Sequence, residues 1–290
     1  MPGPWHTLVS AKALKAHLDD PDLVLLDCRH ALGDPEDGPR AYEDGHLPGA
    51  RHAHIDRDLS GPLTGRNGRH PLPEPDAFRR TAGHLGIHPG AQVVAYDAHG
   101  GAWAARAWWL LRHYGHDTVA VLDGGLPAWT RIGGPLTRDV PPPSDATFLG
   151  NPGHLPTVDA DSLRQRVPVP AGTLLDARDP ERYRGDQEPI DPVAGHIPGA
   201  RNAPYKDSLD ATGRFQAPDE LRARFDRLIG THAPDEVAVY CGSGVTAAHL
   251  LLALEVAGLP GAALYPGSWS EWCADRDRPV ETGPAATATR

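Results

Sequence analysis

The sequence predicts an α/β protein in which one domain is written twice, each copy a parallel sheet flanked by helices. Three observations predict it. Short apolar runs alternate with longer segments of helical spacing, the pattern that builds a parallel sheet with helices on its faces. The chain has 290 residues, a length that suits two domains of about 140 residues each. Four motifs of the first half also return in the second half in the same order, which is the mark of a duplication.

The elements follow in order. Residues 23–26, 93–96 and 119–122 of the first copy are apolar runs that read as buried strands. Helical patterns occupy 77–83 and 103–114, the second closed by Gly115 at the position where a left-handed residue ends a helix. In the second copy the strands are 173–175, 237–240 and 262–265. Its helices are 220–228 and 245–257, the latter closed by Gly258.

The copies align by sequence. Gly45-His46-Leu47-Pro48-Gly49-Ala50-Arg51 returns as Gly195-His196-Ile197-Pro198-Gly199-Ala200-Arg201. Leu25-Leu26-Asp27-Cys28-Arg29 matches Leu174-Leu175-Asp176-Ala177-Arg178, and Val93-Val94-Ala95-Tyr96-Asp97 matches Val237-Ala238-Val239-Tyr240-Cys241. Gly124 followed by Trp129 matches Gly267 followed by Trp272. The expected domains are 1–140 and 157–284, with a proline-rich linker at 141–156 and a frayed tail at 285–290.

Composition excludes several function classes. With 28 Lys+Arg against 38 Asp+Glu the net charge is -10, so neither a nucleic acid nor an anionic membrane is an expected partner. Arginine accounts for 25 of the 28 basic residues, which we read as coding bias. No run approaches the ~20 apolar residues of a membrane span; the richest, 245–259, already holds His249 and Glu255. Met1-Pro2-Gly3-Pro4-Trp5 has neither the basic nor the apolar region of a signal peptide, so a cytoplasmic location is expected. Cys28, Cys241 and Cys273 lack CxxC pairing, which argues against a disulfide scaffold or a zinc knuckle. The histidines show no ligand spacing either, since His84 and His88 flank Gly86 and precede Pro89. No metal or cofactor is expected.

The chemistry points to Cys241. It ends an apolar strand and opens Gly242-Ser243-Gly244-Val245-Thr246-Ala247-Ala248, which runs into a helix. Two glycines let the backbone curl so that successive N–H groups face one spot near the sulfur, and the helix start adds its positive dipole end. Both favour a thiolate and an anionic sulfur adduct. The plain alternative is a buried structural cysteine at a strand end. Cysteine phosphatases use a similar cradle with an arginine six residues on. That position here is Ala247, which disfavours phosphatase chemistry. An acyl-transfer cysteine would need a histidine base; His70 and His196 are candidates, and no local motif singles out either.

The paired Gly-His-[Leu/Ile]-Pro-Gly-Ala motifs, the Asp-x-Arg strand ends, the Cys241–Ala247 loop and Gly267-Ser268-Trp269-Ser270-Glu271-Trp272 resemble a tandem-domain rhodanese-type sulfurtransferase over nearly the whole chain. The loop is most similar to the 3-mercaptopyruvate branch. The resemblance implies two tandem rhodanese-like domains, of which the second is catalytic. It makes the first a scaffold without a nucleophile, because Asp97 stands where Cys241 stands and a carboxylate cannot carry a persulfide. It further implies a ping-pong reaction in which the Cys241 thiolate takes sulfur from a small-molecule donor and a thiol or cyanide discharges it. A small thiol or a thioredoxin-like protein is the expected acceptor. Thiosulfate:cyanide transfer and a non-turnover role in sulfur delivery are the alternatives.

In the mercaptopyruvate branch a serine, a histidine and an aspartate form a triad across the domain interface. Motif matching places these at Ser243, His70 (in Arg69-His70-Pro71-Leu72-Pro73) and Asp56 (in His54-Ile55-Asp56). Solvated residues on a proline-glycine loop are the alternative for the last two. Arg182 matches the arginine that faces the donor anion, and Gly242, Gly244, Val245 and Thr246 line the cradle. Arg184 reads as a surface residue. The branch carries a second anion-binding arginine a few residues on, where this chain has Ile190, and that departure weakens the donor assignment. The thiosulfate branch has basic residues inside the cysteine loop, where this chain has Gly242 and Ser243.

Features present in both copies are assigned to the fold: Asp27–Arg29 with Asp176–Arg178, and His46 with His196. Trp103, Trp108 and Trp109 have the spacing of a packed helix. Cys28 is expected to be inert, while nothing in the pattern assigns a role to Cys273 or to Pro266.

Overall fold

The computed structural model describes residues 3–170 and 172–284; the expected tail at 285–290 lies outside them. The chain divides into two compact units. One runs through Gly61 and adds Leu72–Leu155 and Asp210–Phe215. The other comprises Pro62–Pro71, Pro156–Leu209 and the chain from Gln216.

The first unit holds a parallel five-stranded sheet of β1 (Leu8–Val9), β2 (Leu23–Asp27), β3 (Arg51–His52), β4 (Gln92–Tyr96) and β5 (Val119–Leu122), in the order β1-β5-β4-β2-β3. Its helices are α1 (Ala11–Lys15), α2 (Asp37–Asp44), α3 (Pro75–His84), α4 (Ala104–His113) and α5 (Gly125–Arg131). Strand β4 is buried along its whole length, as a central parallel strand covered on both faces must be. Helix α4 is buried nearly all round and brings Trp108 and Trp109 into the core. Gly115 follows it with φ +83°.

The second unit holds a parallel four-stranded sheet of β6 (Leu174–Asp176), β7 (Arg201–Asn202), β8 (Ala238–Tyr240) and β9 (Ala263–Leu264), in the order β7-β6-β8-β9. Its helices are α6 (Ala160–Arg164), α7 (Pro180–Arg184), α8 (Pro218–Ile229), α9 (Thr246–Val256) and α10 (Ser268–Trp272). Strands β6 to β9 repeat the order of β2 to β5. The counterpart of β1 shrinks to one parallel bridge, Thr157 to Leu264, which is why this sheet has one strand fewer.

The features common to both copies do the same work in each unit. Asp27 and Arg29 form a buried ion pair whose guanidinium also donates to Gly45 O. Asp176 and Arg178 repeat it with Gly195 O at 2.7 Å, and Arg178 lies over the Trp269 ring at 4.7 Å. His46 stacks on Tyr42 and His196 on Tyr183, each at 3.8 Å, and each ring Nδ1 is bonded to the carbonyl of its tyrosine. These groups are committed to packing.

Residues 141–156 contain no helix or strand. They are anchored nonetheless, because Phe148 is buried against Phe78 and Tyr114, and Gly150 O accepts from Arg79 Nε at 3.0 Å. Through Leu155 they belong to the first unit.

Candidate active site

Strand β8 ends at Tyr240 and the chain turns at Cys241, whose side chain is buried. The turn is held from below by the start of α10. Cys241 N–H donates to Ser268 Oγ at 3.1 Å, and the carbonyls of Cys241 and Gly242 accept from Trp269 and Ser270 N–H at 2.9 and 3.0 Å. Ser268 has φ +54°, the left-handed region that a residue with a Cβ rarely enters, and its hydroxyl donates to Tyr265 O at 2.9 Å. Sequence reasoning gave Ser268 no role beyond its motif.

Above the turn the loop N–H groups face the sulfur. Ser243 N–H lies 3.4 Å and Gly244 N–H 3.1 Å from Sγ, so the loop solvates negative charge there. Gly244 is required as glycine, with φ +79° and Pro266 O only 2.5 Å from where a Cβ would stand. Pro266 thus lends its backbone to the floor of the loop. Val245 precedes α9 and Thr246 opens it.

The segment Pro62–Pro71 belongs to the same unit as Cys241 and is tied to it at four points. Gly68 approaches the Gly267 backbone so closely that a Cβ would lie 2.6 Å from Gly267 O. Arg69 N–H donates to Ser270 Oγ at 3.1 Å, and the Arg69 guanidinium is paired with Asp191. His70 Nδ1 is hydrogen-bonded to Ser243 Oγ at 2.7 Å, with both side chains buried. The structure therefore brings together Cys241, Ser243 and His70.

Asp56 stands in the first unit, where its N–H donates to His54 Nδ1 at 3.1 Å. Its side chain is 43% exposed.

Arg182, on α7, lies beside the cysteine loop, since a Cβ on Gly242 would be 3.3 Å from its Nη1. Glu188 accepts from Arg182 Nε at 3.1 Å and from Nη2 at 2.7 Å, while Asp191 accepts from Nη2 at 2.9 Å. Burial raises the Asp191 carboxyl from its usual range, against the lowering pull of Arg69. Ile190 is part-exposed and donates its N–H to Glu188. Arg184 is on the surface, paired with Asp186 at 2.7 Å.

Arg69 and the acids Glu188 and Asp191 were not foreseen. A signal existed in the position of Arg69 next to His70, and in two carboxylates six and nine residues beyond Arg182.

The other cysteines are unsuited to chemistry. Burial, with Asp27 beside it, pushes the Cys28 thiol well up, and burial pushes Cys273 to about 11. Among the described residues no group of three or more His, Cys, Asp or Glu could hold a metal ion. No helix there is long and apolar enough to cross a membrane.

The Rhodanese-like domain family matches the chain twice, over residues 10–132 and 159–275. The chain belongs to the rhodanese-like sulfurtransferases. It is 49% identical to the "Probable 3-mercaptopyruvate sulfurtransferase" of Pseudomonas aeruginosa, over 95% of this chain and 98% of that one. It is 44% identical to the "Putative thiosulfate sulfurtransferase SseB" of Mycobacterium tuberculosis, over 96% and 98%. The crystal structure of the 3-mercaptopyruvate sulfurtransferase SseA from Escherichia coli superposes with a TM-score of 0.79 at 32% identity, covering 91% of this chain and 99% of that one. This sulfurtransferase is thus an enzyme built from two rhodanese-like domains.

Proposed function

We propose that the enzyme moves sulfur from 3-mercaptopyruvate to a thiol or cyanide acceptor through a persulfide on Cys241. The observation that carries this reading is the hydrogen bond between Ser243 Oγ and His70 Nδ1, at 2.7 Å, on the same loop that holds Sγ. The thiolate attacks the donor sulfur, forming an S–S bond as the donor C–S bond breaks. The electron pair leaves on carbon as the enolate of pyruvate, which must take up one proton. A serine–histidine pair beside the nucleophile can deliver it. Asp56 enters as their third member through the resemblance alone. In the second half-reaction an acceptor thiolate takes the outer sulfur as its own persulfide, or cyanide takes it as thiocyanate, and the Cys241 thiolate is restored.

Thiosulfate needs no such pair, because its leaving group is sulfite and no carbon is protonated. It remains the second reading because Arg182 suits a sulfonate as well as a carboxylate. Small thiols and thioredoxin-like proteins are the proposed acceptors, in the reducing cytoplasm. Turnover with a small thiol, rather than discharge to a protein alone, separates an enzyme of this kind from a delivery protein.

Intact mass after incubation with donor tests the reading: a gain of about 32 Da on Cys241 is expected, and no gain with mercaptopyruvate refutes it. The ratio of kcat/KM for the two donors decides between them.

A further inference from the structure

A cavity of about 320 Å³ opens in the first unit beside β3 and α3, with Arg51, His52, Asp58 and Thr81 on its wall and Leu85 as apolar surface. Its size is at the lower end for a small-molecule site. The duplication supplies an internal comparison. Helices α3 and α8 both open on Pro-Asp, Pro75-Asp76 and Pro218-Asp219, which sets Phe78 against Leu221, Ala82 against Phe225 and Thr81 against Arg224. The first two pairs are buried in both copies, so the alignment also holds in space. The run from Arg51 through Asp58 matches Arg201 through Ser208.

In the second unit Arg224 reaches from its helix to this run. Its Nη1 donates to Ser208 Oγ at 3.1 Å and its Nη2 to Pro204 O at 2.8 Å, and its side chain is only 12% exposed. In the first unit Thr81 is too short to make that reach, and the counterpart of Ser208 is the carboxylate of Asp58. Both residues line the cavity instead. The first unit thus keeps the receptor for a guanidinium, with a stronger acceptor, and lacks the side chain that fills it.

The remaining groups on the wall extend this match. Asp58 Oδ2 accepts from His54 N–H at 2.7 Å, while Oδ1 has no partner among the described residues. His52 Nε2 lies 3.3 Å from Arg29 O, and burial pulls the imidazole below its usual range. The ring is therefore neutral near pH 7, donates from Nε2 and keeps Nδ1 as an acceptor. Arg51 adds the opposite charge. Its counterpart Arg201 donates from Nη1 to Leu228 O at 2.7 Å, at the end of α8, whereas Arg51 Nη1 turns to Pro142 O at 2.7 Å. Arg51 Nε and Nη2 have no partner among the described residues, which leaves one edge of the fork for a carboxylate.

We propose that this cavity binds a small molecule that carries a guanidinium and a carboxylate, the chemistry of free arginine. Asp58 receives the guanidinium and Arg51 the carboxylate, so the ligand takes the place that the Arg224 side chain fills in the second unit. The site is separate from the cysteine loop, and the proposal does not rest on the sulfur-transfer reading.

Calorimetric titration of the full chain with L-arginine tests it. One saturable site is expected, with a dissociation constant of about 1 mM or tighter. L-Citrulline has nearly the same shape without the cation, and agmatine lacks the carboxylate; each should bind at least about tenfold more weakly. Asp58→Asn keeps an oxygen for His54 N–H and loses the charge, so it should weaken L-arginine at least about tenfold. Thr81→Arg gives the cavity the side chain of the second unit. It should abolish L-arginine binding and leave the denaturation midpoint at or above that of the wild type. No saturable binding by the wild type up to about 20 mM overturns the proposal, as does an affinity that Asp58→Asn leaves unchanged. A lowered midpoint in Thr81→Arg, or L-arginine binding that survives it, would mean that the cavity does not fit an arginine side chain. Equal affinities for L-arginine and agmatine would remove Arg51 from the site.

Discussion

The two units carry the same loop and fill it differently. In the second, two N–H groups face the Cys241 sulfur at 3.4 and 3.1 Å. In the first, Asp97 is buried in the corresponding loop and its carboxylate accepts from four N–H groups: His99 and Gly101 on Oδ1, Trp103 and Ala104 on Oδ2, all at 2.8–2.9 Å. The loop between a parallel strand and its helix presents convergent donors whatever the chemistry. One copy satisfies them with its own carboxylate and has no thiol in the loop. The other leaves them to a sulfur that can take on and release charge. The proposed nucleophile is therefore the difference between the copies, and the cradle is what they share.

Removing the nucleophile should have the largest effect. Cys241→Ser is expected to lower turnover at least about ten-thousand-fold, as loss of a covalent nucleophile does, and to abolish the gain in mass. Cys28→Ala and Cys273→Ala should stay within about twofold. At pH 8 iodoacetamide should label Cys241 and spare the other two, because burial keeps Cys28 and Cys273 as neutral thiols, the latter up to about pH 11. Labelling of Cys273 at pH 8 would contradict this.

The Ser243–His70 pair comes next. Ser243→Ala and His70→Ala should each lower kcat/KM for mercaptopyruvate about a hundredfold or more, the usual worth of a positioned proton carrier. Thiosulfate, which needs no proton on carbon, should lose only about threefold. Asp56→Asn should follow the same donor preference with a smaller loss. Equal losses on both donors would remove the pair from the proton step.

Asp97 tests the comparison from the scaffold side. Asp97→Ala leaves four N–H groups, three of them buried, without their acceptor and should cost about 3–5 kcal/mol of stability, read from denaturant midpoints. The persulfide formed per folded molecule should be unchanged. Asp97→Cys combined with Cys241→Ser should not restore sulfur transfer, because His99 stands where Ser243 stands and Ala98 where Gly242 stands. A gain of one sulfur in that double variant would show that the cradle alone suffices.

Much of this was legible in the sequence, for identifiable reasons. The strands β2, β4, β5, β6, β8 and β9 announce themselves as apolar runs, and the repeat aligns them across the two copies. The edge strands β3 and β7 and the first strand β1, two residues each, are too short for any periodicity. Cys241 and Ser243 share one contiguous motif, and His70 was reached by resemblance. Arg69 was not assigned, because an arginine among prolines and glycines looks like surface charge and its partner Asp191 is 122 residues away.

Ser268 could not be read either, because nothing in a serine announces a left-handed backbone. Its counterpart in the first unit is Gly125, which has the same φ of +54°. Glycine meets that angle without strain, whereas serine bears a cost of order 1–3 kcal/mol and in return offers its hydroxyl to Cys241 N–H. Ser268→Gly should relieve the strain and lose the hydrogen bond, for a net change within about 1 kcal/mol. Ser268→Ala keeps the strain and loses the bond, so it should be less stable than the glycine variant by about 1 kcal/mol. If the hydroxyl positions the nucleophile, both variants should slow persulfide formation by a similar few-fold factor despite their different stabilities. If glycine alone slows it, the backbone conformation rather than the hydrogen bond would be what Ser268 contributes at Cys241.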